Sequence, residues 1–198
     1  MSLIPKRRDR SPLKKPEQLD LDPLTDVMID LETLGRRPGC AVLSIGAVEF
    51  GPRGLGRELY VVVNRKSQVE LGLHEDDSTL AWWAQQTEAA RQVLDDAGKK
   101  TAAPLEQALA QLTSWLTPIG LKRVKVWGNG ADFDNAILSC CYGALKADVP
   151  WDFWNNRCYR TLKNLIPGPK LSRGGTYHNA LDDAKSQALH AIELLKSR

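Results

Sequence analysis

The segment from residue 27 to residue 63 has the sequence VMIDLETLGRRPGCAVLSIGAVEFGPRGLGRELYVVV. It holds three mainly apolar runs, at residues 27–30, 41–50 and 57–63, and glycines and a proline separate the last two. Apolar runs of this length predict strands, and the short connections between them favour an antiparallel meander. The segment therefore predicts the first three strands of one sheet.

Helices and strands alternate in the rest of the chain. Ser78 is predicted to cap one helix, a second helix runs near residues 88–96, and Thr101 is predicted to open a third, which ends near residue 117. A fourth strand at 124–127, a helix at 133–145, a short strand at 157–159 and a closing helix at 180–195 follow. This order predicts an α/β fold with a mixed five-stranded sheet, three strands antiparallel and then two parallel, flanked by helices.

The composition is that of one globular domain. The chain has 198 residues, of which 42% are hydrophobic and 26% charged. It has no apolar run of about 18 residues, and the basic N-terminus has no apolar stretch behind it, so neither a membrane span nor a secretory signal is predicted. A cytoplasmic location without membrane association is the resulting expectation.

The formal charge is unevenly distributed. Residues 1–20 hold six basic and three acidic side chains and thus the whole net charge of +3. We therefore divide the chain into a flexible basic arm, residues 1–25, and a folded domain, residues 26–198. Such an arm can bind phosphates nonspecifically or can be a solvated tail, and composition leaves both readings open.

Asp30 and Glu32 follow the first apolar run. Residues two apart in a strand face the same side, so these carboxylates project together while Leu31 faces the core. Paired carboxylates repel each other unless a cation lies between them, and oxygen ligands suit Mg²⁺ or Mn²⁺. The alternative is a pair of solvated acids at a strand end.

Asp134 lies on the first turn of a predicted helix, just after a strand and the turn at residues 128–130. The helix dipole favours anions there, and glycines let the backbone approach a ligand closely. The alternative is that Asp132 or Asp134 only caps the helix.

The closing helix begins near a histidine and two acids. Asn179 is a plausible N-cap, with His178 before it and Asp182 and Asp183 in the first turn. An unprotonated imidazole beside a cluster of acids is well placed to take a proton from an attacking water. The apolar pattern of the helix does not choose between the two aspartates.

Aromatic and basic side chains add two weaker signals. Trp82 and Trp83 are adjacent on a predicted amphipathic helix, which can bury only one ring fully, so one of them is a candidate for base stacking. Basic residues near the last motif can hold phosphates, with scattered surface charge as the alternative: Arg157, Arg160, Lys163, Lys170 and Arg173.

Three segments carry a family resemblance. The stretches IDLETLG at 29–35, VWGNGADFDNAIL at 126–138 and HNALDDA at 178–184 resemble, in the same order, the three motifs of DEDDh-type 3′→5′ exonucleases. The motif sequences are most similar to those of the DnaQ-like and RNase T-like enzymes of bacteria and phages, some labelled exodeoxyribonuclease VIII. Further similar stretches lie at residues 43–47 and 82–83. The resemblance runs from about residue 26 to the C-terminus and implies an RNase H-like fold.

The resemblance also implies roles for named residues. It makes His178 the general base, and it makes four acids the ligands of two Mg²⁺ or Mn²⁺ ions: Asp30, Glu32, Asp134 and Asp183. Thr33 and Leu34 would contact the terminal sugar and base. Many members have histidine and asparagine where this chain has Gly130 and Ala131, and Asn129 is the candidate for the part of that asparagine.

The implied activity is removal of nucleoside 5′-monophosphates from the 3′ end of single-stranded DNA or RNA. Two alternatives stay open at this point: a noncatalytic nucleic-acid-binding module that grips through the basic arm, and a phosphatase or nucleotidase that uses the same acids. The motifs do not decide between DNA and RNA, because the 2′-hydroxyl is sensed by details of the pocket. A homodimer is one of the assembly states that the resemblance leaves open.

Overall fold

The sheet has the predicted architecture. The computed structural model describes residues 25–197, so the predicted arm, residues 1–25, lies outside the described residues except for residue 25. The five strands are β1 (Asp26–Thr33), β2 (Val42–Gly51), β3 (Gly54–Val62), β4 (Lys125–Gly128) and β5 (Asn156–Cys158). They lie in the order β3-β2-β1-β4-β5, with β1 to β3 antiparallel and β4 and β5 parallel to β1. The prediction of three antiparallel and two parallel strands is confirmed.

Seven helices flank this sheet within the described residues: α1 (Arg65–Val69), α2 (Asp77–Trp83), α3 (Glu88–Gly98), α4 (Leu105–Leu116), α5 (Asp134–Ala144), α6 (Tyr159–Leu165) and α7 (Ala180–Lys196). The sequence did not predict α1 or α6. Ser78 lies inside α2, whose N-cap is Asp76, so the predicted cap was wrong. Helix α4 begins after Pro104 and not at Thr101. Proline has no backbone N–H to donate to an earlier helical turn, and its fixed φ suits the start of a helix.

The two faces of the sheet carry different layers. Along β1, Val27, Ile29 and Leu31 face the main core, which α3, α4 and α5 cover. Met28 faces the other way, into a second cluster with α7. The buried face of α7 is made largely of small residues, which let the helix lie close to β1 and β2: Ala180, Ala184, Ala188 and Ala191.

This alternation decides where the acids of β1 go. Asp30 and Glu32 continue the Met28 face and therefore lie under the N-terminal end of α7, at the carboxyl end of β1. The ends of β4 and β5 lie beside β1 at the same edge, because these strands are parallel to it.

Among the described residues, none of the helices is long and apolar enough to cross a bilayer.

Candidate active site

A cleft of about 500 Å³ opens where the ends of β1 and β4 meet α7 and α2. Six of the predicted site residues line it: Asp30, Glu32, Thr33, Asn129, His178 and Asp183. Two others do not. Asp134 lies behind the cleft, 1% exposed, and Leu34 is fully buried in the main core. The Leu34 side chain turns into the core because the register of β1 shifts after Glu32, which changes the direction of the next residues, and the predicted contact of Leu34 with the substrate stays a prediction.

Two residues on α7 face the acids of β1. Asp183 and Gln187 are one helical turn apart, and both line the cleft. The Gln187 amide donates a hydrogen bond of 2.7 Å to Oδ1 of Asp30. Gln187 was not predicted from the sequence, although its spacing of four from Asp183 was a signal that could have found it.

Asp134 is held by backbone groups from two other segments. The Leu31 N–H donates to Asp134 Oδ1 at 3.2 Å, and the Asn129 N–H donates to Oδ2 at 2.6 Å. A Cβ at Gly128 would lie 3.0 Å from Oδ2, so glycine leaves the space that this carboxylate occupies. Asp134 therefore connects the end of β1 to the turn after β4 and places its charge directly behind the cleft.

Glu32, His178 and Asp183 come together tightly. One ligand atom from each lies within 4.8 Å of the other two, and oxygen and imidazole donors so placed could hold a divalent ion. The structure also separates the two adjacent aspartates. Asp182 accepts a hydrogen bond of 2.8 Å from the Thr176 N–H in the preceding loop, whereas Asp183 faces the cleft.

His178 is held among aromatic rings. Its ring centroid lies 5.0 Å from that of Trp82 and 4.7 Å from that of Tyr177, both with edge-on geometry. Its backbone has a φ of +61°, a left-handed conformation that is uncommon outside glycine, and Asn179 caps α7 directly after it. Trp83 is 1% exposed and Trp82 is 42% exposed, which matches the expectation that only one of them is buried.

The family match decides the identity. The family described as 3′-5′ exoribonuclease Rv2179c-like domain matches residues 25–195. The chain belongs to this family. It is a 3′→5′ exonuclease, and the resemblance to the DEDDh type is confirmed. A search of curated proteins found no match.

Solved structures show that the exonuclease has the RNase H-like fold of DEDDh nucleases. The nuclease domain of 3′hExo, a DEDDh family member, bound to rAMP, is 16% identical with a TM-score of 0.59, and the match covers 87% of this chain and 92% of that chain. A full-length 3′-exonuclease is 15% identical with a TM-score of 0.60, over 87% and 81%. Cell-death related nuclease 4 is 13% identical with a TM-score of 0.57, over 88% and 65%.

Burial and mutual repulsion perturb the acids of the exonuclease. Burial, followed by the charges of Asp134 and Glu32, raises the pKa of Asp30 well above its ordinary value. Burial, followed by the charge of Asp183, raises the pKa of Glu32 to about 8. Burial raises the pKa of Asp134 to about 6, against the hydrogen bonds from backbone N–H groups. A divalent cation among these groups would relieve their repulsion, so the donor set fits such an ion.

His178 shifts in the opposite direction. Burial lowers the pKa of its imidazole, and this effect exceeds the opposing effect of the Asp183 charge. The imidazole is therefore neutral at pH 7 and can accept a proton.

We expect the exonuclease in EDTA to lose stability as the pH rises from about 4.5 to about 8. Glu32 has an ordinary pKa of 4.5 and a folded pKa of about 8, so in this window the folded state keeps a proton that the unfolded state has lost. Each such group lowers the free energy of unfolding by up to about 1.4 kcal/mol per pH unit. Urea unfolding at pH 5, 6.5 and 8 measures this slope, and Mn²⁺ should reduce it. A free energy of unfolding in EDTA that rises with pH would contradict the electrostatic account.

Proposed function

We propose that the exonuclease removes nucleoside 5′-monophosphates one at a time from the 3′ end of single-stranded RNA. The observation that carries the proposal is the convergence of Glu32, His178 and Asp183 within 4.8 Å, next to Asp30 in one cleft. The family description, which names an exoribonuclease, supports RNA as the substrate. A structural neighbour is described as recognising the 3′ end of histone mRNA stem-loop, which is consistent with this choice.

Asp30, Glu32 and Asp183 would hold two Mg²⁺ or Mn²⁺ ions, with Asp134 contributing from behind the cleft. When bound, these ions would activate the attacking water and offset the negative charge of the phosphate and the leaving 3′ oxygen. The Gln187 amide fixes the orientation of the Asp30 carboxylate. The N–H groups of Leu31 and Asn129 fix that of Asp134.

His178 would act as the general base. Its imidazole is neutral at pH 7, lines the cleft and lies beside Glu32 and Asp183, so it can take the proton of the attacking water. The rings of Trp82 and Tyr177 restrict its orientation. The partly exposed face of Trp82, which also lines the cleft, is available for stacking on a base.

Two further residues of the cleft would contact the terminal nucleotide. The Thr33 hydroxyl donates to the Gly35 carbonyl at 2.7 Å, which leaves its lone pairs for a sugar hydroxyl. Asn129 lines the cleft, and its side-chain oxygen has no donor within residues 25–197. This oxygen is buried while the residue as a whole is partly exposed, so a rotation of the amide would bring it to a sugar hydroxyl of the substrate. Homodimer formation and a cytoplasmic location stay predictions from the sequence analysis.

Digestion of paired oligonucleotides tests the proposal. With Mg²⁺ or Mn²⁺, a 5′-labelled single-stranded RNA should shorten stepwise from its 3′ end with release of 5′-monophosphates, and EDTA should stop the reaction. A DNA oligonucleotide of the same sequence should be digested more slowly. Preferred digestion of DNA would overturn the choice of RNA. Hydrolysis of a mononucleotide in preference to both oligomers would favour a nucleotidase, and binding without any cleavage would favour a noncatalytic module.

A further inference from the structure

Arg173 is a basic side chain that lines the cleft, in the loop between α6 and α7. Its Nη1 donates to Oδ1 of Asp183, and its guanidinium lies over the ring of Tyr177, 4.5 Å from the centroid. The arginine side chain is 36% exposed and the aspartate side chain 10%, so the pair lies at the wall of the cleft rather than on open surface. Of the two readings of Arg173 from the sequence, a phosphate contact or scattered surface charge, this position at the cleft favours the first.

The position of Arg173 creates a conflict with the function proposed above. Asp183 is one of the acids that would hold a divalent ion, and Arg173 uses one oxygen of that carboxylate. Its charge also acts on the neighbours, because it favours the ionised form of Glu32 and the neutral form of His178. A guanidinium this close to the cluster stabilises the ionised acids. Because it is itself a cation, it also opposes the binding of a divalent metal ion there.

A guanidinium has two good partners in such a site. Its planar donors match a carboxylate and a phosphate equally well, and phosphates are what the substrate brings into the cleft. Arg173 lines the cleft together with Asp30, Glu32 and His178, so a phosphate held at the acids would lie within reach of its side chain. Stacking on Tyr177 can hold the guanidinium plane in either arrangement.

We propose that Arg173 is a positioning residue with two alternative partners. It pairs with Asp183 in the free protein, and it transfers to a phosphate of the substrate when Asp183 binds a divalent ion. The exchange makes binding of the ion and binding of the nucleic acid mutually reinforcing. A bound ion releases Arg173 from Asp183 for the phosphate, and a bound phosphate releases Asp183 from Arg173 for the ion. This inference rests on the function proposed above.

Titration of the free protein with Mn²⁺ by calorimetry tests the first half. Arg173→Gln should bind Mn²⁺ about fivefold more tightly than the wild type, because it removes the competitor for Asp183. Lys163→Gln is the matched control. This variant also removes one positive charge from the same region, but Lys163 lies over the Tyr159 ring and does not pair with Asp183. Its Mn²⁺ affinity should change by less than about twofold. Arg173→Lys keeps the charge and should stay near the wild type.

Binding of a single-stranded RNA in Ca²⁺, followed by fluorescence anisotropy, tests the second half. Arg173→Gln should raise the Kd for RNA about tenfold, and the RNA should tighten Ca²⁺ binding to the wild type but not to Arg173→Gln. An Mn²⁺ affinity of Arg173→Gln that equals the wild type, or that changes no more than in Lys163→Gln, would overturn the exchange. These titrations do not depend on cleavage. A failure of the proposed function would instead appear as a wild-type protein that digests no oligonucleotide.

Discussion

Asp183→Asn is expected to lower the rate of 3′-end digestion on the order of a thousandfold, without loss of the fold. The asparagine has nearly the same volume and keeps one oxygen, so packing against β1 should survive. It removes one negative charge from the cluster with Glu32 and His178, where the proposed ions are held. The variant relieves the repulsion among the like charges of this cluster but weakens the ion pair of Asp183 with Arg173, so the ion-free variant should be about as stable as the wild type.

Asp182→Asn is the matched control for this prediction. The two aspartates are adjacent in sequence and in the same first turn of α7, but Asp182 accepts from the Thr176 N–H and stands apart from the cluster. An asparagine oxygen can still accept that hydrogen bond, so digestion should stay within about threefold of the wild type. Initial rates on a 5′-labelled oligonucleotide and thermal unfolding of both variants provide the comparison. Equal losses in the two variants would refute the assignment of Asp183.

The choice between these aspartates shows where the sequence stops being informative. The predicted apolar stripe of α7 left both off its centre, and only the family resemblance favoured Asp183. In the structure the small residues Ala180, Ala184 and Ala188 lie against the sheet, which rotates Asp183 and Gln187 towards β1. A helix pattern read alone does not contain the position of the partner strand, so it cannot fix this rotation.

The acids of β1 were easier to predict because their arrangement is local. Strand alternation alone puts Asp30 and Glu32 on one face and Leu31 on the other, and the structure shows this arrangement. Arg173 is the opposite case. Its pairing with Asp183 depends on the path of an irregular loop, for which the sequence offers no periodic signal. Helix α1 was missed for a related reason, since five residues are too few to show a helical period.

The stretch at residues 43–47 is one of those that resemble the family, and its resemblance needs a physical reason. The structure supplies one at Gly46, which pairs with Asp30 across β1 and β2 and lies directly beneath the start of α7. A Cβ at this position would lie 2.2 Å from the carbonyl carbon of Ala180 and 2.3 Å from the nitrogen of Leu181. Both atoms belong to backbone, so no side-chain rotation can relieve the contact.

Gly46→Ala is therefore expected to destabilise the protein by about 3 kcal/mol, which lowers the Tm by about 6 to 12 °C for a domain of this size. The first turn of α7 must move away from β2, and it carries Asp183 and follows His178, so digestion should fall as well. Gly143→Ala is the matched control. Apart from its neighbours in the chain and the backbone of its own helix, a Cβ at Gly143 would meet no atom within 4 Å, and alanine favours the helical conformation of α5, so the Tm of this variant should stay equal or rise. Equal Tm values for the two variants would mean that α7 can shift without loss of stability. The close packing of α7 on β2 would then not explain the position of Asp183 over Asp30.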